Sequence, residues 1–432
     1  MHIQQLTGRW LHMLVCTLTC TLSSSVQATD YARDTNGWNY GGHIKYQYIN
    51  TLIPEYSFLN RYADGSMQDQ NLEVRLTLGA RRDRWDFRSD IQFITVHSDR
   101  LLASRNLPPL LFPGAGVIND DRRWFNLTHE ISSQNKDATV LRLDRISIGF
   151  TGDKTVIRFG RQAISWGNGL LFTPMDIFNP FDPTAVDKEY KTGDDMLYGQ
   201  YLLDSGDDVQ VVGVVRRDLD SGEVKQDESS LALKYHGFWG QNEYDLLLAE
   251  HYGQSVLGVG FSTDLAGAIW RADLVWNDTD SGAVFSGVGG VSYSGILAGH
   301  NWTGFLEYYY NGFGLSDGIY SPSALLANPD LLDRMGRGEV FNIGRHYLGA
   351  SVLLELTPLL SVTPNVFVNL IDPSALAQLV FTWDWKQDIQ LLGALNIPIG
   401  KKGSEYGGIR GLQPGQYLSI GPSLFVQLAW YF

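Results

Sequence analysis

Cysteine is almost missing from this chain: there are two among 432 residues, Cys16 and Cys20. Both fall in a segment that reads as a secretory leader over residues 1–28. Arg9 and two histidines mark its polar start, residues 11–22 form an apolar stretch too short to span a bilayer, and Val26-Gln27-Ala28 offers a small-residue cleavage site. Val15 and Thr19, not small residues, precede the cysteines, which argues against lipid attachment. Residues 29–432 then form one exported domain with no disulfide framework. Long apolar runs are also missing, so no transmembrane helix is expected. A basic excess is missing too: 33 Lys and Arg stand against 47 Asp and Glu, a formal net charge of −14, which sets nucleic acid aside as a partner. No C-x-x-C-H, G-x-S-x-G, Walker or H-E-x-x-H pattern occurs. Hence no haem, other cofactor, metal site or catalytic residue is expected.

What the chain has is alternation. Leu424, Val426, Leu428, Trp430 and Phe432 share one side of a two-residue period, the other side being mixed. That is one unbroken apolar face ending on an aromatic. In Leu72-Glu73-Val74-Arg75-Leu76-Thr77-Leu78 the apolar positions face one way and Glu73, Arg75 and Thr77 the other. Residues 85–93 and 44–48 repeat the pattern. Charge at every second position cannot be buried between two sheets without partners, but it can line a wet lumen. The abundant aromatics (12 Trp, 21 Tyr) and 46 glycines suit interfacial girdles and crowded barrel walls.

The predicted fold is therefore all-β: a transmembrane antiparallel up-and-down barrel. Strands are predicted near 40–50, 71–81, 84–96, 139–150, 154–164, 194–203, 207–217, 228–237, 241–251, 255–263, 267–277, 284–294, 301–312, 345–356, 360–370, 375–385, 388–399 and 417–432. That makes 18, with 16 as the alternative. Every long connection is odd-numbered and every even one is short, the asymmetry of long outer loops and short periplasmic turns. Strand 139–150 changes face near Asp144-Arg145, which predicts a bulge. Residues 285–294 are too glycine-rich to orient. Only about ten residues separate the leader from the first strand, so no plug domain is expected.

The most specific motif opens the third outer connection, 165–193. Gly160-Arg161-Gln162-Ala163-Ile164-Ser165-Trp166-Gly167 is followed by Asn179-Pro180-Phe181-Asp182-Pro183. This run resembles the G-R-Q-x-x-S-W-G … N-P-x-D-P segment of porin-like outer-membrane barrels of Gram-negative bacteria, distantly related to alginate-export proteins. The resemblance covers roughly 155–195. It implies a barrel of porin or exporter type in the bacterial outer membrane and implies no particular substrate. Three X-Pro steps and Trp166, Leu170, Leu171, Phe172, Met175, Ile177, Phe178 and Phe181 make this connection too apolar for a loop in water. It is expected to fold into the barrel as a constriction, or over the rim as a brace. The eyelet candidates are Trp166, Asp176, Asn179, Asp182, Asp187, Lys188, Glu189 and Lys191.

Alternation places Lys45, Glu73, Arg75, Asp86, Arg88, Asp90, Arg142, Arg158, Lys234 and Arg271 in the lumen, with Asp273 and Glu307. These either set selectivity or pair with one another and keep the lumen wet. The expected function is a channel for passive or facilitated diffusion of a small hydrophilic solute, anionic if the wall is mainly basic. An export conduit is the second reading and a barrel enzyme the third. No remaining histidine sits in a recognisable nucleophile context. The expected partners are outer-membrane lipid and lipopolysaccharide, the barrel-assembly machinery and the solute; oligomeric state is open.

Overall fold

A two-residue period rich in aromatic and β-branched residues makes strands. The computed structural model describes residues 37–107, 116–411 and 413–432; the leader at 1–28 lies outside them. Eighteen described strands build the wall: β1 Gly37–Leu52, β2 Ser66–Arg82, β3 Trp85–Ser98, β4 Asp137–Thr151, β5 Thr155–Gln162, β6 Asp194–Leu202, β7 Asp208–Val214, β8 Ser230–Trp239, β9 Asn242–His251, β10 Gln254–Leu265, β11 Ala268–Thr279, β12 Gly282–Leu297, β13 His300–Tyr310, β14 His346–Thr357, β15 Leu360–Asn369, β16 Ser374–Lys386, β17 Ile389–Ile399 and β18 Ser423–Tyr431. Each pairs antiparallel with the next. β1 also pairs with β18, from Thr51↔Ser423 to His43↔Tyr431. The eighteen described wall strands thus close into a ring in which each has two neighbours. Every predicted strand is present, and the 16-strand alternative falls away.

Several elements escaped the sequence reading. A short accessory strand, Thr128–Gln134, pairs with the outer half of β4, on the edge that further down pairs with β5. Helix α1 (Asp99–Asn106) follows β3, and α2 (Pro322–Leu326) and α3 (Pro329–Arg337) lie between β13 and β14. The bulge expected near Asp144 is there: Asp90 pairs with Arg145 and Ile91 with Leu143, which skips Asp144. It turns Asp144 and Arg145 to the same side.

The outer face is apolar and continuous. Leu233, Leu248, Leu257, Trp276 and Phe285 stand side by side across five consecutive strands, and Leu248 and Phe285 are more than half exposed. At the end bearing the short turns, Trp38, Tyr40, Trp85, Trp239, Trp385, Trp430 and Phe432 form an exposed aromatic rim. The opposite face carries the charge: Arg75, Asp90, Arg142, Asp144, Asp273 and Glu307 are all buried inside. Burial of so many ions is tolerable only because they meet each other or the connections packed among them.

This division of faces has a direct test. Val259→Lys on the outer face is expected to cost about 2–4 kcal/mol of folding free energy near the midplane. Ser262→Lys on the inner face of the same strand should be nearly silent. Urea titration of folding into lipid vesicles measures both.

Candidate functional site

The connection between β5 and β6, residues 163–193, is launched inward by what surrounds it. Residues 122–124 pair with 216–217 just past β7, and the accessory strand pairs with β4. Together they fill the rim above β5 and β6. Arg161, fully buried, locks this arrangement. It donates to both oxygens of Asp195 (2.8 and 3.0 Å), to Asp120 (2.8 Å) and to the Phe125 carbonyl (2.6 Å). Burial works against the Asp120 charge, but Arg161 and Arg123 hold its carboxyl below the ordinary range. With the outward path occupied, the chain after Gln162 turns into the lumen.

Its contacts then run around the inner wall. Trp166 Nε1 donates to Gln210 on β7 (2.8 Å). The Asn168 side chain donates to Asp245 on β9 (3.3 Å) and Asp273 on β11 (2.8 Å). The backbone N–H groups of Leu170, Leu171 and Phe172 donate to Glu307 on β13. The Thr184 carbonyl accepts from Gln378 on β16 (2.9 Å). Asp187 and Glu189 pair with Lys45 on β1 (2.8 and 2.6 Å), and Tyr431 on β18 donates to Glu189 (2.9 Å). Arg75 on β2 stacks on the Tyr190 ring, 4.0 Å from its centroid. Arg145 on β4 donates to the Lys191 carbonyl. Only a segment inside the barrel can reach all these strands from their inner faces.

Apolar packing seats the first half of the circuit. Trp166, Met175, Ile177 and Phe178 pack on Val212, Val214, Ala232, Leu247, Ala249, Val256 and Val275, all inward-facing. Phe172 stacks on Tyr309 at 4.8 Å and meets Phe367 edge-on. Gly349 makes room: a Cβ there would lie 2.5 Å from Leu171 Cδ1.

The eyelet candidates separate. Lys191, buried, pairs with Asp176 and donates to the Ile164 carbonyl (3.1 Å), so this pair braces the two limbs of the loop. Burial raises the Asp176 carboxyl to about 6 despite Lys191. Asn179 adopts φ 52°, a left-handed kink that asparagine tolerates. Asp182 accepts from the N–H and hydroxyl of Thr184 (both 2.8 Å), and Lys188 donates to the Pro183 carbonyl (2.9 Å). Trp166 is part of the apolar seat.

The lumen candidates fall into networks. Arg75 holds Asp90 (3.0 Å) and Asp144 (2.9 Å) and approaches Glu73 (3.6 Å). Arg88 also pairs with Asp90 (2.8 Å), Arg142 with Asp144 (3.2 Å) and Arg158 with Asp86 (3.6 Å). Lys234 pairs with Asp245 (2.9 Å). Arg271 donates to Ser292 (2.8 Å).

Two histidines are buried inside the barrel. His43 meets Glu73 (3.2 Å). His251 joins Ser230 (2.8 Å) to Glu339 (3.1 Å), a serine–histidine–carboxylate line that spacing in the sequence hid. Ser230 and His251 are 6% and 1% exposed, and Arg216 also donates to Ser230 (2.7 Å). The line fastens the 311–345 connection to the wall. Glu405 fastens 400–422 in the same way, accepting from Tyr347, Asn369 and the Ile343 N–H.

No protein-family model matches the chain, and no curated relative does. Among solved structures, the chain is similar to OccAB4 of Acinetobacter baumannii, at 9% identity and a TM-score of 0.52 over 93% of this chain and 99% of that one. It is similar to a BenF-like porin from Pseudomonas fluorescens Pf-5, at 9% and 0.51 over 91% and 98%. It is also similar to OccK8 (OprE) of Pseudomonas aeruginosa, at 6% and 0.51 over 92% and 99%. At such identity the likeness is one of fold.

Two outcomes follow for the loop. Phe172→Ala should weaken its docking by about 3–5 kcal/mol and let a protease nick 163–193 in the folded barrel, which the parent resists. The raised Asp176 carboxyl takes its proton at a higher pH in the docked loop than in an unfolded chain. Docking should therefore strengthen as pH falls from about 6 to about 4. Hydrogen exchange of the loop, corrected for intrinsic rates, should show this slope, and Asp176→Asn should abolish it.

Proposed function

We propose that this chain is a bacterial outer-membrane channel through which a small hydrophilic anion diffuses, narrowed by the 163–193 loop. The apolar outer belt and aromatic rim suit hydrocarbon bounded by two interfaces. Lipid, lipopolysaccharide and the barrel-assembly machinery are the partners such a location implies.

The observation that carries the anion preference is how the inner charges are spent. On β2, β3 and β4, Arg75, Arg88, Arg142 and Arg145 share three carboxylates, Glu73, Asp90 and Asp144. Across the lumen, Asp273 and Glu307 are engaged by loop N–H groups, while Arg271 hydrogen-bonds to Ser292 and lies within electrostatic reach of Glu307. Fixed charge at close range then favours an anion in the remaining passage. We take the Gly160–Gly167 and Asn179–Pro183 runs, which resemble a segment of alginate-export-type barrels, to launch and seat the loop. They support a narrowed barrel and select no direction of transport.

Planar-bilayer recording of the refolded protein tests this. An ohmic current with a reversal potential on the anion side is expected. Arg271→Gln should lower the anion-to-cation permeability ratio, and deletion of 168–188 should raise conductance several-fold. A cation-selective current, or a conductance that ignores the deletion, would overturn the proposal.

A further inference from the structure

We infer that Glu307 and Asp273 are positioning residues, wall carboxylates that hold the narrowing loop at its height in the barrel and stand outside the ion filter. This rests on the channel reading above. By alternation alone the two carboxylates look like filter charges, since both face inward near the level of the loop. Their contacts say otherwise.

Five consecutive backbone N–H groups converge on them. Asn168 and Gly169 donate to one Asp273 oxygen at 2.7 and 3.3 Å. Leu170 donates to one Glu307 oxygen at 2.5 Å, and Leu171 and Phe172 to the other at 2.8 and 3.1 Å. The Asn168 side chain covers the remaining Asp273 oxygen at 2.8 Å. Asp273 and Glu307 are 0% and 2% exposed, so no passing ion touches them.

Successive N–H groups that point into one concavity form an anion-binding nest. Here the anions are supplied by the barrel wall. Hydrogen bonds to an ionised acceptor are about twice as strong as neutral ones, so this is a firm anchor. The wall is cut to receive it. A Cβ on Gly260 would fall 2.5 Å from Asn168 Nδ2 and 2.8 Å from Asp273 Oδ1.

A filter charge and a positioning charge leave different signatures. Neutralising a filter carboxylate moves the reversal potential and leaves the opening its size. Neutralising an anchor frees the loop. An amide is a poor replacement, because its NH2 group would face the loop's own donors. Shortening the anchor by one methylene frees the loop as well, although the charge is kept.

The experiment uses the full-length barrel with Glu307→Gln, Asp273→Asn and Glu307→Asp, each checked for the heat-modifiable folded form on a gel. Single-channel conductance, reversal potential in a salt gradient, and hydrogen exchange of 168–172 are measured. Conductance should rise in all three, Glu307→Asp included. Exchange should quicken by about tenfold or more, since each variant leaves buried donors unpaired. The permeability ratio should move little. The inference is overturned if Glu307→Gln and Asp273→Asn shift the reversal potential while conductance and exchange stay at parental values, or if Glu307→Asp is silent. A parent barrel that passes no current would defeat the channel reading alone, because the exchange measurement still reports the anchor.

Discussion

Closure of the hydrogen-bonded ladder is the constraint from which the rest follows. A sheet in hydrocarbon has no water to satisfy its edges, so every strand needs two neighbours. Pairing of Gly37–Leu52 with Ser423–Tyr431 supplies the last of them. Once the ring is shut, the two-residue period leaves each side chain two destinations, lipid or interior. The outer destination demands little beyond apolarity. The inner one must accommodate whatever the opposite phase of each strand carries, and in this chain that includes many ions.

The interior solves this in two sectors. Along β2 to β4 the ions meet each other, with arginines sharing carboxylates in a continuous network. Along β7 to β11 the inner face carries, beside Lys234, Asp245 and Asp273, a patch of valine, alanine and leucine, which a water-filled lumen would not reward. Those residues are covered by the apolar half of the 163–193 connection. Its charged half, Asp187, Glu189 and Lys191, crosses to the ionic sector. The loop is amphipathic along its length, and the wall is amphipathic around its circumference in the matching order.

The strands were legible because their signal is local. A period of two with turn residues between is enough to find each one, and the odd–even pattern of connection lengths fixes which end is which. The loop's inward course was legible only as a preference, from apolar residues where water was expected. A sharper sign was available in Leu246-Leu247-Leu248-Ala249 and Val211-Val212, which are apolar on both phases. A barrel strand of that kind has something packed inside it. The uses of Glu307, Asp273 and His251 were not legible. Alternation tells which way a side chain points but not what it meets, and the loop groups they hold lie 88 to 137 positions away. The accessory strand was hidden for a related reason: it pairs over seven residues, Thr128–Gln134, and its register is irregular.

Glu189 touches both margins of the seam at once, Lys45 on the first strand and Tyr431 on the last. In a sheet not yet shut, those two groups are far apart and the carboxylate can satisfy one of them only. Interior occupancy and ring completion are therefore thermodynamically linked, each raising the equilibrium constant of the other by the same factor. A barrel that forms with its lumen empty forgoes that mutual gain, so the complete ring and the filled interior belong to one cooperative transition.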